Sequence, residues 1–258
     1  MTLRLSIIRQ SNKCISNVGL KRNYHSFYHI NKPIIDMKLI ENQILNKAYE
    51  EYVPEFGFTN KSIENASFAM GLNNNSPNAI FNFTSLTKNL EMELILFHLK
   101  KCRENLNLLI KNKEFLIEFN KKSEFEKLNY LLNKRLLMNK PILKFLPNIL
   151  GKMILPNNLN SSLIELHNLS DDITYYSGDR SNDFAWYSKR FSISSLYIQS
   201  ELFQINDKSN DLSDTFKFVN DRLKEIENAA YIYNSVEEWA FFNAVSTINI
   251  IKSQLAKG

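Results

Sequence analysis

From Phe184 to Phe203 the chain runs without a glycine or a proline, and the run is apolar on more than one side. Phe184, Tyr187, Phe191 and Ile198 follow a three-to-four spacing, and so do Trp186, Ile193 and Tyr197, with Arg190 set between the two series. This spacing predicts a long helix with two apolar faces, and both faces must be buried in a core, a partner or a ligand. Just ahead of it, Ser181 or Asp183 can accept hydrogen bonds from the first free N–H groups.

The rest of the chain repeats helical periodicity. Met37, Ile40, Ile44, Leu45, Ala48 and Tyr52 share one face of a helix expected from Ile35 to Val53 and stopped by Pro54 and Gly57. Thr59 or Asn60 can cap a second helix that ends at Gly71, and Pro77 suits the start of a third. Leu86 to Lys111 and Phe125 to Phe145 predict long helices, with Lys100, Lys101, Arg103 and Glu104 facing solvent. Pro141, Pro147, Gly151 and Pro156 divide the next segment into short apolar pieces that should be buried. Ser161 or Ser162 then opens a helix ending at Gly178, and Asp211 or Ser213 caps another through Phe216, Val219 and Leu223. No segment shows strand alternation bounded by hairpin turns, so the fold class is all-α, with about nine or ten helices.

Charge is unevenly placed. The net charge is +5, but Arg4, Arg9, Lys13, Lys21, Arg22 and Lys32 all precede the first acidic residue, Asp36. An acid-free leader containing Arg and Ser has the composition of a mitochondrial transit peptide. A cut before His25 would leave 27 basic residues against 27 acidic ones. Cys14 lies in the leader and Cys102 stands alone after it, so no disulfide framework is available within such a mature chain. The longest charge-free apolar stretch, Trp239 to Ile251, falls short of the roughly 20 residues that span a bilayer.

Catalytic constellations are scarce. His25 and His29 are four apart but have no acidic residue near them, and His98 and His167 stand isolated, so no metal site is expected. Paired Glu and Glu-x-x-His ligands of a di-iron bundle are missing, as are G-x-G-x-x-G, P-loop and G-x-S-x-G motifs. Helix, turn, helix, Gly-turn, helix is the order of a helix-turn-helix unit. From Phe58 to Thr87, however, there is one base, Lys61, which is too little positive charge for phosphate contacts. Apolar stripes remain, and composition alone assigns them to packed core. Trp186 and Arg190 lie four apart with Tyr187 beside them, a composition enriched at binding hot spots. An intramolecular cap with Arg190 paired to Asp183 is equally open on the residues alone. Val236 to Leu255 forms an apolar stripe (Ala240, Phe241, Ala244, Ile248, Ile251), with Trp239, Phe242 and Ile250 off it, more than one packing surface needs.

A chain-long set of residues carries a resemblance. Leu155-Pro156-Asn157, Asp171-Asp172, Tyr176, Gly178-Asp179, Asp183, Trp186-Tyr187, Arg190, Tyr197, Glu201-Leu202, Asp207, Thr215 and Arg222 together resemble the mitochondrial ubiquinone-biosynthesis accessory proteins. These are lipid-binding relatives of the TetR regulators that serve the demethoxyubiquinone hydroxylase. The resemblance implies a TetR-like arrangement: a transit peptide at 1–24, a helix-turn-helix-like unit at 35–87, a lipid-binding helical bundle at 88–230 and an amphipathic, membrane-contacting helix at 236–258. It implies a non-enzymatic homodimer held peripherally on the matrix side of the inner membrane, without cofactor or nucleic acid, and binding ubiquinone precursors or phospholipid. Trp186, Tyr187, Arg190 and Asp183 would dock the hydroxylase, and Trp239, Phe241, Phe242, Ile248 and Ile251 would meet the bilayer. Phe191, Ile198, Leu202 and Met153 are the candidates for the lipid pocket. The competing expectations are a ligand-responsive DNA-binding regulator of the same fold, and a structural subunit of the biosynthetic complex with a closed core.

Overall fold

Every regular element among the described residues is a helix, as the periodicity predicts. The computed structural model describes residues 34–73, 76–84, 89–180, 184–232 and the positions 243, 246, 247 and 250. The leader, Asp183 and the positions Trp239, Phe241, Phe242, Ile248 and Ile251 lie outside the described residues.

The chain begins with α1 (Ile40–Lys47), which passes through a π turn (Ala48–Tyr52) into α2 (Val53–Phe56). Pro54 was expected to stop this helix, but it sits in the first turn of α2 instead. A proline ring clashes with the carbonyl four residues back and has no N–H to give, and the wider π turn just before it removes that conflict. Gly57, at φ 70°, ends the segment. Next come α3 (Asn60–Ala69) and α4 (Ser76–Thr84), joined through Gly71 at φ 78°. Thr59 occupies the N-cap of α3, yet its hydroxyl donates to the Phe56 carbonyl rather than accepting from the helix.

The longer helices are α5 (Leu90–Lys111), α6 (Lys113–Asn120) and α7 (Glu124–Leu137). Ser123 and Glu126 form a reciprocal capping box at the start of α7. Beyond Leu137 the chain does not continue as α-helix to Phe145; a 3₁₀ turn (Lys140–Phe145) leads into α8 (Leu146–Met153). Then α9 (Pro156–Ser177) and α10 (Phe184–Ile205) pack on each other, and α11 (Ser213–Ile232) closes the series. Pro156 opens α9 rather than dividing it, since a first-turn N–H has no helical partner to lose. Ser162, expected at the cap, lies inside α9 and donates to the Met153 and Asn158 carbonyls. Asp211 does not cap α11 either: it pairs with Lys140, while Asp207 accepts from the N–H groups of Ser209 and Thr215.

Two hydrophobic clusters share α5. One joins its first half (Met92, Leu94, Ile95) to Ile44, Val53 and Ile63. The other joins Leu106 to Leu131, Leu132, Ile173, Ile193 and Val219. Close packing makes the first cluster intolerant of added atoms at Gly57, where a Cβ would come within 2.8 Å of the Phe145 ring. Gly57→Ala should therefore lower stability by about 1–3 kcal/mol through backbone strain alone, with ring displacement adding to it. Urea titration measures it, and an unchanged midpoint would contradict the packing described.

Candidate functional site

Between α5, α7, α8, α9 and α10 lies a cavity of about 120 Å³. Its walls are mainly apolar, and three of the residues that the resemblance offers for a pocket, Met153, Ile198 and Leu202, are among those that line it. Phe191 does not; it is 36% exposed on the outer side of α10. Ile154, Leu159 and Leu163 line the cavity while remaining 38%, 41% and 52% exposed, so the apolar wall continues out to the surface.

The cavity also has charged walls that the sequence did not reveal. Arg103, expected in solvent, instead bridges Glu165 and Asp172, each at 2.7 Å. Both carboxylates are buried, and a buried carboxylate needs a partner of this kind. Arg135 is wholly buried and donates from Nη1 to Asn139 Oδ1 at 2.7 Å. Asn139 in turn donates to Glu201 Oε1 at 2.9 Å, and the Tyr197 hydroxyl donates to the same oxygen. Burial, and then the Glu201 charge, push the Tyr197 hydroxyl well above its usual range. Tyr197 and Glu201 are one turn apart on α10, which explains how one helix brings both to the cavity.

Trp186, Tyr187 and Arg190 occupy the first turns of α10. The guanidinium of Arg190 stacks on the Trp186 ring at 3.9 Å, as their four-residue spacing predicts. Exposure, however, differs from expectation: Arg190 is 1% and Trp186 7% exposed, and Tyr187 alone is open, at 52%. Arg190 is held by Asp171 at 2.5 Å and Asp179 at 3.1 Å, both supplied by α9 and the turn that follows it. A fully desolvated cation requires such carboxylates, so the Trp186–Arg190 pair is a structural clamp with Tyr187 as its outward face.

The COQ9 family model matches residues 159–230, which begin on α9 and take in α10 and most of α11. A mitochondrial ubiquinone biosynthesis protein COQ9 of Saccharomyces cerevisiae is 36% identical over 225 residues, 84% of each chain. The chain belongs to the COQ9 family. The Schizosaccharomyces pombe member is 33% identical over 246 residues, covering 94% of this chain and 92% of its own. The Homo sapiens member is 28% identical over 201 residues, 77% of this chain and 61% of that one. These relatives are named ubiquinone biosynthesis proteins and mitochondrial. The COQ9 match thus covers the α9 and α10 walls of the cavity and the clamp.

Two further features of this COQ9 chain went unread in its sequence. His98 and Cys102, one turn apart on α5, lie within 3.8 Å, and the ring nitrogens of His98 also meet the Tyr49 hydroxyl at 3.1 Å and Asn139 at 3.4 Å. Burial, reinforced by the Arg135 charge, pushes the His98 pKa down to about 3, so the ring stays neutral. The unfolded chain protonates this histidine near pH 6.5 and the folded chain does not. Stability should therefore fall as pH drops from about 6.5 towards 3, at up to about 1.4 kcal/mol per pH unit. His98→Gln should flatten that slope in urea titrations between pH 6.5 and 5; an unchanged slope would contradict a buried neutral ring.

The second feature is Thr247. Its side chain is 6% exposed and bonded to the Ser195 hydroxyl at 2.6 Å, with Gln199 at 3.4 Å. Part of the C-terminal segment assigned above to the bilayer thus touches α10. No described helix is long and apolar enough to cross a membrane.

Proposed function

We propose that this chain is a non-catalytic lipid-binding protein of ubiquinone biosynthesis. It holds isoprenoid quinone intermediates at the matrix face of the inner mitochondrial membrane and presents them to the demethoxyubiquinone hydroxylase. The observation that carries this reading is the apolar cavity whose wall runs out to the surface over Ile154, Leu159 and Leu163. Burying CH₂ groups along that outer wall contributes about 0.8 kcal/mol each, the driving force an isoprenoid chain offers. Family membership supplies the pathway.

In this account Tyr187, the exposed face of an otherwise buried clamp, meets the hydroxylase. Rigid, half-exposed aromatics of this kind make interface anchors. Tyr187→Ala should weaken hydroxylase association by about 2 kcal/mol, roughly 30-fold, without shifting the melting temperature. The test is quinone transfer from vesicles to the hydroxylase, run with the intact chain and with this variant. Transfer that is independent of the chain would sink the presentation mechanism, and full transfer by Tyr187→Ala would sink the docking assignment.

A further inference from the structure

The inner wall of the cavity holds a charged donor that the protein does not use up. Arg135 is 0% exposed, and its Nη1 is taken by Asn139 while its plane lies over the Tyr197 ring at 5.3 Å. Its Nε and Nη2 have no hydrogen-bond partner among the described residues. Buried donors of this kind are rare in native folds and call for an acceptor.

Size narrows the acceptor. A cavity of about 120 Å³ is close to the roughly 150 Å³ that accommodates a single benzene ring. It takes one six-membered ring, and it does not take a run of isoprene units. Charge narrows it further. Of the two guanidinium groups on the wall, Arg103 is paired with Glu165 at 2.7 Å, and Arg135 is linked through Asn139 to the carboxylate of Glu201. A phosphate would bring an unbalanced charge into this desolvated space beside those two carboxylates, whereas a neutral carbonyl or methoxy oxygen would not.

We propose that the cavity takes the ring end of a quinone-type lipid, with one ring oxygen accepting from Arg135 and the tail leaving over Ile154, Leu159 and Leu163. This rests on the lipid-binding function above and adds an orientation: ring inward, tail outward. Arg135 is then the residue that distinguishes a quinone ring from plain hydrocarbon.

The test compares two probes on the purified full chain: a decyl-substituted dimethoxy-methyl-benzoquinone, and decylbenzene, which has the ring and tail without the oxygens. Equilibrium dialysis should show the quinone bound at least about tenfold more tightly, the worth of one hydrogen bond to a charged donor. Arg135→Met should remove that preference while leaving decylbenzene affinity unchanged. Equal affinities in the intact chain would overturn the ring assignment and leave lipid binding standing; no binding of either probe would overturn both. Tighter binding of farnesyl phosphate than of the quinone would overturn the neutral-acceptor argument. Should Arg135→Met fail to fold, the infrared carbonyl band of the quinone bound to the intact chain decides. A shift to lower frequency supports the bond, and a band unmoved from its position in alkane overturns it.

Discussion

Arg190→Met is expected to lower the stability of the chain by about 3–5 kcal/mol, the range for removing one partner of a buried ion pair. The substitution would leave Asp171 and Asp179 without their shared guanidinium, and Asp179 is 2% exposed. Lys189 still donates to Asp179 at 2.9 Å, and the Asp171 side chain is 29% exposed, so the low end of the range applies. Urea unfolding followed by circular dichroism measures the loss, and Arg190→Lys, which keeps the charge without the fork, should recover part of it. A loss below about 0.5 kcal/mol, typical of an exposed pair, would show that the clamp is not buried in solution. The consequence for function is direct. Hydroxylase association lost on substituting Trp186 or Arg190 would report a damaged fold, so the docking assignment has to be tested at Tyr187, where 52% exposure makes the side chain expendable to folding.

Ile198→Trp is expected to empty the cavity of lipid while leaving the helices in place. Ile198 is half-buried on the cavity wall, and the added indole atoms can enter space that is already open. Displacing three CH₂ equivalents of ligand costs about 2.4 kcal/mol, or about 50-fold in affinity. Overpacking adds about 1–3 kcal/mol of destabilisation where the indole does not fit, which thermal denaturation would register separately. Co-purified lipid undiminished in this variant would place the lipid elsewhere on the molecule.

Much of this was legible in the residues, because helical periodicity is local. The apolar spacing of α5, α7 and α10 located those helices, and the four-residue step from Trp186 to Arg190 predicted their stacking. Met153, Ile198 and Leu202, which line the cavity, were suggested by the family resemblance, since apolar runs alone read as packed core. What the sequence concealed was the fate of charge. Arg135 finds Asn139 nearby, but the network is completed by Glu201, which is 62 residues beyond Asn139. Arg103 meets Glu165 across the same kind of interval, also 62 residues, so an arginine amid a polar stretch was assigned to solvent. Periodicity says which side chains share a helix face, and it says nothing about which faces meet. Asp207 shows the same limit: it caps α11 through Thr215, eight residues on, while the nearer Asp211 is drawn to Lys140.

The account rests on the cavity holding lipid. The most direct test is mass spectrometry of lipids extracted from the purified protein beginning at His25, where removal of the acid-free leader is expected. Quinone intermediates or other isoprenoid lipids in near-stoichiometric amounts, and greatly reduced in Ile198→Trp, are the predicted result. A monodisperse, helical protein that carries no lipid, and takes none up from vesicles containing quinone precursors, would contradict it.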